Sequence, residues 1–215
     1  MRTVSLDGRE TAGVTSLEAF SADGHATGWT TWDGAHREKL TLQWDNEAWT
    51  ATGDVGRERV QYVLRLAPTW RIRQFLLFRD LAEPDLWLAN DGHDRWGEVN
   101  GAHRTEFDGC TDIDLACSPF PATVPIRRLR LGVGDTAQVR VIVVDVATLA
   151  VEVAVRRYTR VTDRLWRRWS SEDDVTTELR VDGHGLVIDE PGRFRSLCGR
   201  RNPWRLRRAE PEIPL

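Results

Sequence analysis

Lysine is almost missing from this chain. Of its 30 basic residues only Lys39 is a lysine, and the rest are arginine. Arginine keeps its charge when partly buried and forks onto carboxylates, so the bias predicts many Arg–Asp and Arg–Glu pairs. A dominant sign of charge is missing too. The net charge of −3 gives no global field toward nucleic acid or an anionic membrane. No apolar run approaches the ~20 residues of a membrane helix, and the opening MRTVSLDGRE has no apolar leader core. The three cysteines, Cys110, Cys117 and Cys198, are odd in number and lack a framework spacing. These absences predict a cytoplasmic protein with reduced thiols, no transmembrane segment, and cysteines that serve as small apolar fillers.

Catalytic and metal signatures are also lacking. There is no His-Glu-x-x-His, no Cys-x-x-Cys and no Gly-x-Ser-x-Gly elbow. The glycines at 132–134 and 183–185 do not sit in a strand, loop and helix with Lys-Ser/Thr, so they predict no phosphate loop. Asp91, His93, Asp94 and His103 have neither the number nor the spacing of a zinc site and read as a polar turn. No catalytic residue, metal or cofactor is assigned from the residues.

What is present is β structure. Hydrophobic residues make up 40% of the 215 and charged residues 29%, which suits a globular domain with a real core. Strands are predicted at 38–44, 59–66, 69–78, 85–90, 138–146, 149–161, 177–182, 186–191 and 193–197, with Leu149, Val151, Val153 and Val155 sharing one face. Short strands at this spacing indicate a barrel or sandwich. Residues 118–132 break the pattern with three prolines. A short helix is expected over 125–130, beginning at Pro125 because proline is tolerated in a first turn, and stopping by Gly132. Residues 1–12 read as a loosely held start, 13–198 as one domain, and 199–215 as an Arg- and Pro-containing tail. The arginines and aromatics of 193–208 could meet bases or anionic lipid, but intramolecular or subunit packing is the simpler reading.

Three constellations carry candidate chemistry. Asp112 and Asp114 share a strand face with Cys110. They can pair with arginines such as Arg127 or Arg128, accept hydrogen bonds from sugar hydroxyls, or act as acid and base. Arg71 and Arg73 share a face opposite Trp70 and are either surface charges or a clamp for a carboxylate or phosphate head group. Ten tryptophans against two tyrosines suit a core or a cavity wall facing an amphipathic ligand.

Several blocks bring a resemblance. CTDIDLACSPFPATVPIRRL at 110–129 is similar to the most distinctive block of the putative glycolipid-binding proteins. WRIR at 70–73, DGHDRW at 91–96, RRYT at 156–159 and VDGHGLVIDEPGRFR at 181–195 resemble further blocks in the family's order. Asp94 stands where glycine is usual, and SLEAFS at 16–21 matches the family's opening strand only faintly. The resemblance covers about two thirds of the chain and implies a bacterial, mainly β protein of one domain. Its long antiparallel sheet would be rolled into a barrel-like spiral β-roll around one central helix. It carries no reaction and no cofactor with it. The ligand expected is an amphipathic small molecule, a glycolipid or lipid-like compound. Its polar end would be held by Arg71, Arg73, Asp112, Asp114, Arg127, Arg157 and Tyr158, with Trp70 and Trp96 along the walls. Two other readings stay open: a cavity enzyme that folds a hydrophobic substrate into a reactive shape, and an interaction protein with a filled core. A homo-oligomer is compatible with all three.

Overall fold

The structure, a computed structural model, describes residues 16–56, 59–80, 83–98 and 100–197. The expected loose start at 1–12, the tail at 199–215 and Cys198 lie outside the described residues.

Seven strands come first: β1 (His25–Thr31), β2 (Arg37–Asp45), β3 (Ala48–Val55), β4 (Val60–Leu66), β5 (Ile72–Arg79), β6 (Leu86–Asn90) and β7 (Trp96–Glu98). After a 3₁₀ turn at Thr105–Phe107 come β8 (Asp112–Leu115) and the helix α1 (Phe120–Leu129). Then follow β9 (Thr136–Val144), β10 (Val151–Arg160), β11 (Leu165–Ser170), β12 (Thr176–Val181), β13 (Val187–Glu190) and β14 (Phe194–Ser196). All fourteen strands belong to one sheet, ordered β7-β6-β5-β4-β3-β2-β1-β14-β13-β12-β11-β10-β9-β8. Neighbours pair antiparallel except β8 and β9, which run parallel because α1 makes the crossover between them. The sheet is curled and not closed, and α1 is buried within it from Phe120 to Ile126.

The strands β1, β3 and β11 escaped the pattern reading. Their sequences HATGWTT, AWTATGDV and LWRRWS hold few large aliphatic residues in alternation. The helix starts five residues before the expected Pro125. Pro121 occupies its first turn and Pro125 lies in its interior. An interior proline removes one helical hydrogen bond, and burial of seven consecutive residues compensates. Arg130, in the left-handed conformation with φ 49°, ends the helix ahead of Gly132.

Strand β5 begins later than predicted. The 67–71 segment is a turn, with Trp70 at φ 64° and its N–H bonded to the Ala67 carbonyl. Leu66 pairs with Ile72 while Arg65 pairs with Gln74, so Arg73 is an extra bulged residue. The bulge puts Ile72 and Phe75 inside and leaves Arg73 exposed, so Arg73 does not share a face with Phe75.

Candidate functional site

The inner face of β10 is where alternation misleads most. Ala154, Arg156, Tyr158 and Arg160 point inward and are buried, whereas Val153 is exposed. The predicted valine face is therefore not the core face. Hydrophobicity chooses the valines only if the interior is wholly apolar, and here it also holds ion pairs. Arg156 donates to Asp114 at 2.8 Å and to Glu172 at 2.6 Å. On the adjacent β11, Arg168 donates to Glu190 at 2.8 Å, and Arg193 joins the same carboxylate at 2.6 Å. Burial pushes the Asp114 carboxyl up, but the Arg168 and Arg156 guanidiniums outweigh it and hold the group below its usual range. Burial raises Tyr158. Asp112 bonds Arg128 and Thr111, and burial raises its carboxyl against the pull of Arg128.

A cavity of about 460 Å³ opens where α1 ends. Its apolar walls come from Leu17, Trp70, Ile126, Leu131 and Trp166, and its polar side from Arg127, Arg130 and Arg160. Four elements converge to make it. The last turn of α1 supplies Ile126 and Arg127, and the end of β10 supplies Arg160. The start of β11 supplies Trp166, and the left-handed turn before β5 supplies Trp70. Arg127 is held between two rings, its guanidinium carbon 4.6 Å from the centre of Phe20 and 4.4 Å from that of Trp70. Its Nη1 donates to the carbonyls of His184 and Glu18. Burial lowers its pKa to about 10, with Asp182 opposing. Phe20 stacks on His184 at 4.7 Å and meets Trp49 edge-on at 5.9 Å. The aromatic run continues to Trp44, 5.0 Å from Trp49 and partly exposed.

Of the nine residues expected at a ligand site, the structure brings Trp70 and Arg127 to this cavity. Asp114 and Tyr158 lie in the interior ion-pair cluster, and Asp112 is taken up by Arg128. Trp96 is a core residue whose Nε1 donates to the Cys110 carbonyl at 2.8 Å. Arg71 pairs with Asp94 at 3.2 Å near the surface. Arg73 is exposed and leans on the 90–92 turn, where a Cβ on Gly92 would collide with its guanidinium. Arg157 is exposed and stacks over Trp169 at 4.5 Å. The expectation that Arg71 faces away from Trp70 on one strand fails because both precede β5. Arg160 and Trp166 were missed. The signal available was Tyr158, whose strand face continues to Arg160 two residues on. Among Asp91, His93, Asp94 and His103, the side chains disperse: Asp94 to Arg71, Asp91 to Arg95 at 3.0 Å, and His103 to Asp108 at 2.8 Å.

An open rolled sheet around a buried helix, with an arginine-bearing cavity at the helix end, defines a roll-like β protein. The chain belongs to the putative glycolipid-binding family, whose model matches residues 26–196. It is similar to a DUF1089 family protein from Pseudomonas aeruginosa, known from a crystal structure. The two are 27% identical, the match covers 91% of this chain and 99% of that one, and the TM-score is 0.60. A search of curated proteins finds no match. Among the described residues no helix is long and apolar enough to cross a membrane.

Proposed function

We propose that the protein binds an amphipathic small molecule, lipid-like or glycosylated, in the cavity at the end of α1, and does so without covalent chemistry. One observation carries this reading: two tryptophans and three arginines meet on a single cavity of about 460 Å³. That volume lies within the range of about 300–1,000 Å³ typical of small-molecule sites. Apolar walls with a few convergent polar groups are the usual composition of such sites. The family's description supports the ligand class. Trp70 and Arg127 are the ligand contacts within the blocks that resemble the family, and Arg160 and Trp166 join them. The cavity weighs against an interaction protein with a filled core. A cytoplasmic carrier suits the buried, unbridged thiol of Cys110.

Tryptophan fluorescence tests the reading, because Trp70 and Trp166 line the site. Titration with a dodecyl-chain amphiphile below its micellar threshold should give a saturable change. Leu131→Trp, which fills the cavity from a half-buried position, should abolish saturation while leaving the thermal transition in place. No saturable change with any charged or neutral amphiphile, or an unaltered response in Leu131→Trp, rejects the proposal.

A further inference from the structure

The cavity wall holds three arginines and no carboxylate. Arg160 is partly neutralised, bonding Asp163 at 3.2 Å and the Leu131 carbonyl at 2.8 Å. Arg127 has no such compensation. Among the described residues no carboxylate lies within ion-pair distance of it. Its hydrogen bonds all come from Nη1 and all go to neutral carbonyls. The nearby charges are committed or remote. The Glu18 carboxylate is shared between Arg164 at 3.7 Å and His184 at 3.8 Å, and Asp182 acts only at a distance. His25, 5.4 Å from His184 between ring centres, adds no negative charge.

On the same wall, Nε of Arg127 and Nε1 of Trp166 are also buried without an acceptor. A buried donor left unpaired is a significant penalty, and the half-buried Arg127 has no carboxylate to offset its charge. A ligand, an ion or an ordered water arriving from outside the fold is one way such groups are satisfied. The other arginines that reach the interior are matched in charge: Arg156, Arg168 and Arg128 all meet carboxylates.

We propose that the ligand's head group is an oxyanion on an apolar chain, held by Arg127 with Arg130 and Arg160 adding to the field, its chain lying against Trp70, Leu131 and Trp166. This inference rests on the cavity being the binding site. An oxygen acceptor would take up Nε of Arg127 and Nε1 of Trp166 and supply the missing negative charge. Carboxylate and phosphate monoester share this chemistry, and the site's charge does not depend on which carries it.

The experiment titrates the full chain with sodium laurate, monododecyl phosphate and neutral dodecyl glucoside, by fluorescence and calorimetry. Both anions should bind at least about tenfold more tightly than the glucoside. Arg127→Gln should remove that preference, the anions weakening to about the affinity of the glucoside. Raising salt from about 50 mM to about 0.5 M should weaken the anions and spare the glucoside, a measurement on the unaltered protein that stands even if the variant does not fold. The better of the two anions identifies the head group. Glucoside binding as tight as the anions, or selectivity that survives in Arg127→Gln, overturns the anion assignment and leaves the cavity reading intact. Failure of all three ligands to bind overturns the cavity reading itself.

Discussion

Strands β1–β7 and strands β8–β14 fill the same roll with different chemistry. On β2 to β5 the inward residues are Leu40, Leu42, Ala51, Tyr62, Leu64, Leu66, Phe75 and Leu77, all essentially without solvent contact. One ionisable acid, Glu38, interrupts them. On β8 to β13 the interior instead admits Asp112, Arg156, Arg160, Arg168 and Glu190. Apolar burial is non-directional and tolerates small shifts. Buried ion pairs contribute little net stability but demand fixed geometry, and they punish the loss of one partner. The apolar half therefore supplies stability and the charged half supplies placement. The cavity lies where they meet, with Trp70 from the first and Arg127, Arg160 and Trp166 from the second.

The sharpest way to break this contrast is to unpair the charged half. Arg168→Leu leaves the buried Glu190 carboxylate with only the half-exposed Arg193 and should lower unfolding free energy by up to roughly 3–5 kcal/mol in chemical denaturation. Arg168→Leu with Glu190→Leu should recover a large part of that loss. Leu64→Ala in the apolar half should lose about 2–5 kcal/mol through its cavity, and no single partner substitution should restore it. Equal behaviour of the two sites under rescue would erase the distinction.

Glu38 sharpens the comparison by pH. Burial pushes its carboxyl up to about 7, although Tyr62 and Ser118 donate hydrogen bonds to it at 2.7 Å. The folded state thus keeps a proton that the unfolded chain releases near 4.5. Stability from this group is complete below pH 4.5, falls as pH rises toward 7, and is flat above. The fall is about 3 kcal/mol by linkage. Glu38→Gln should flatten that slope in denaturation curves taken across the window. A slope unchanged by the substitution would mean the acid is solvated. The smallest effect is expected at the rim. Arg71→Ala opens only the half-exposed pair with Asp94 and should change stability by less than about 1 kcal/mol, with ligand binding unaltered.

Legibility in the sequence followed the same division. In the apolar half, the strand expected at 59–66 is β4, and its alternating Val60, Tyr62, Leu64 and Leu66 are the buried residues. In the charged half the same rule inverted β10, because the valines outnumber the inward Ala154 and Tyr158 and because arginine scores as surface. Trp70 and Arg127 were found through the family blocks and not through periodicity. A left-handed turn and a bulge separate Trp70 from the strand it resembles, and neither leaves a mark in hydropathy. The pairing of Asp112 with Arg128 was foreseeable, since an arginine-rich chain must match its buried acids. The pairing of Asp114 with Arg156 needed the register of a strand forty residues away.

The junction between the halves has a consequence for how the chain assembles. Within each half most neighbours in the sheet are also neighbours in sequence, so either ladder grows by short hairpins. The halves are joined through β1 and β14, where Trp29 faces Ser196 and Thr31 faces Phe194. That seam is only three residue pairs long, and it requires closing nearly the whole polypeptide into a ring, a step whose entropy is lost before any contact rewards it. Trp29 sits on the seam and its Nε1 reaches across to the Val187 carbonyl at 2.6 Å. The middle seam is thus the pairing with the longest chain between its partners, and a tryptophan bridges it.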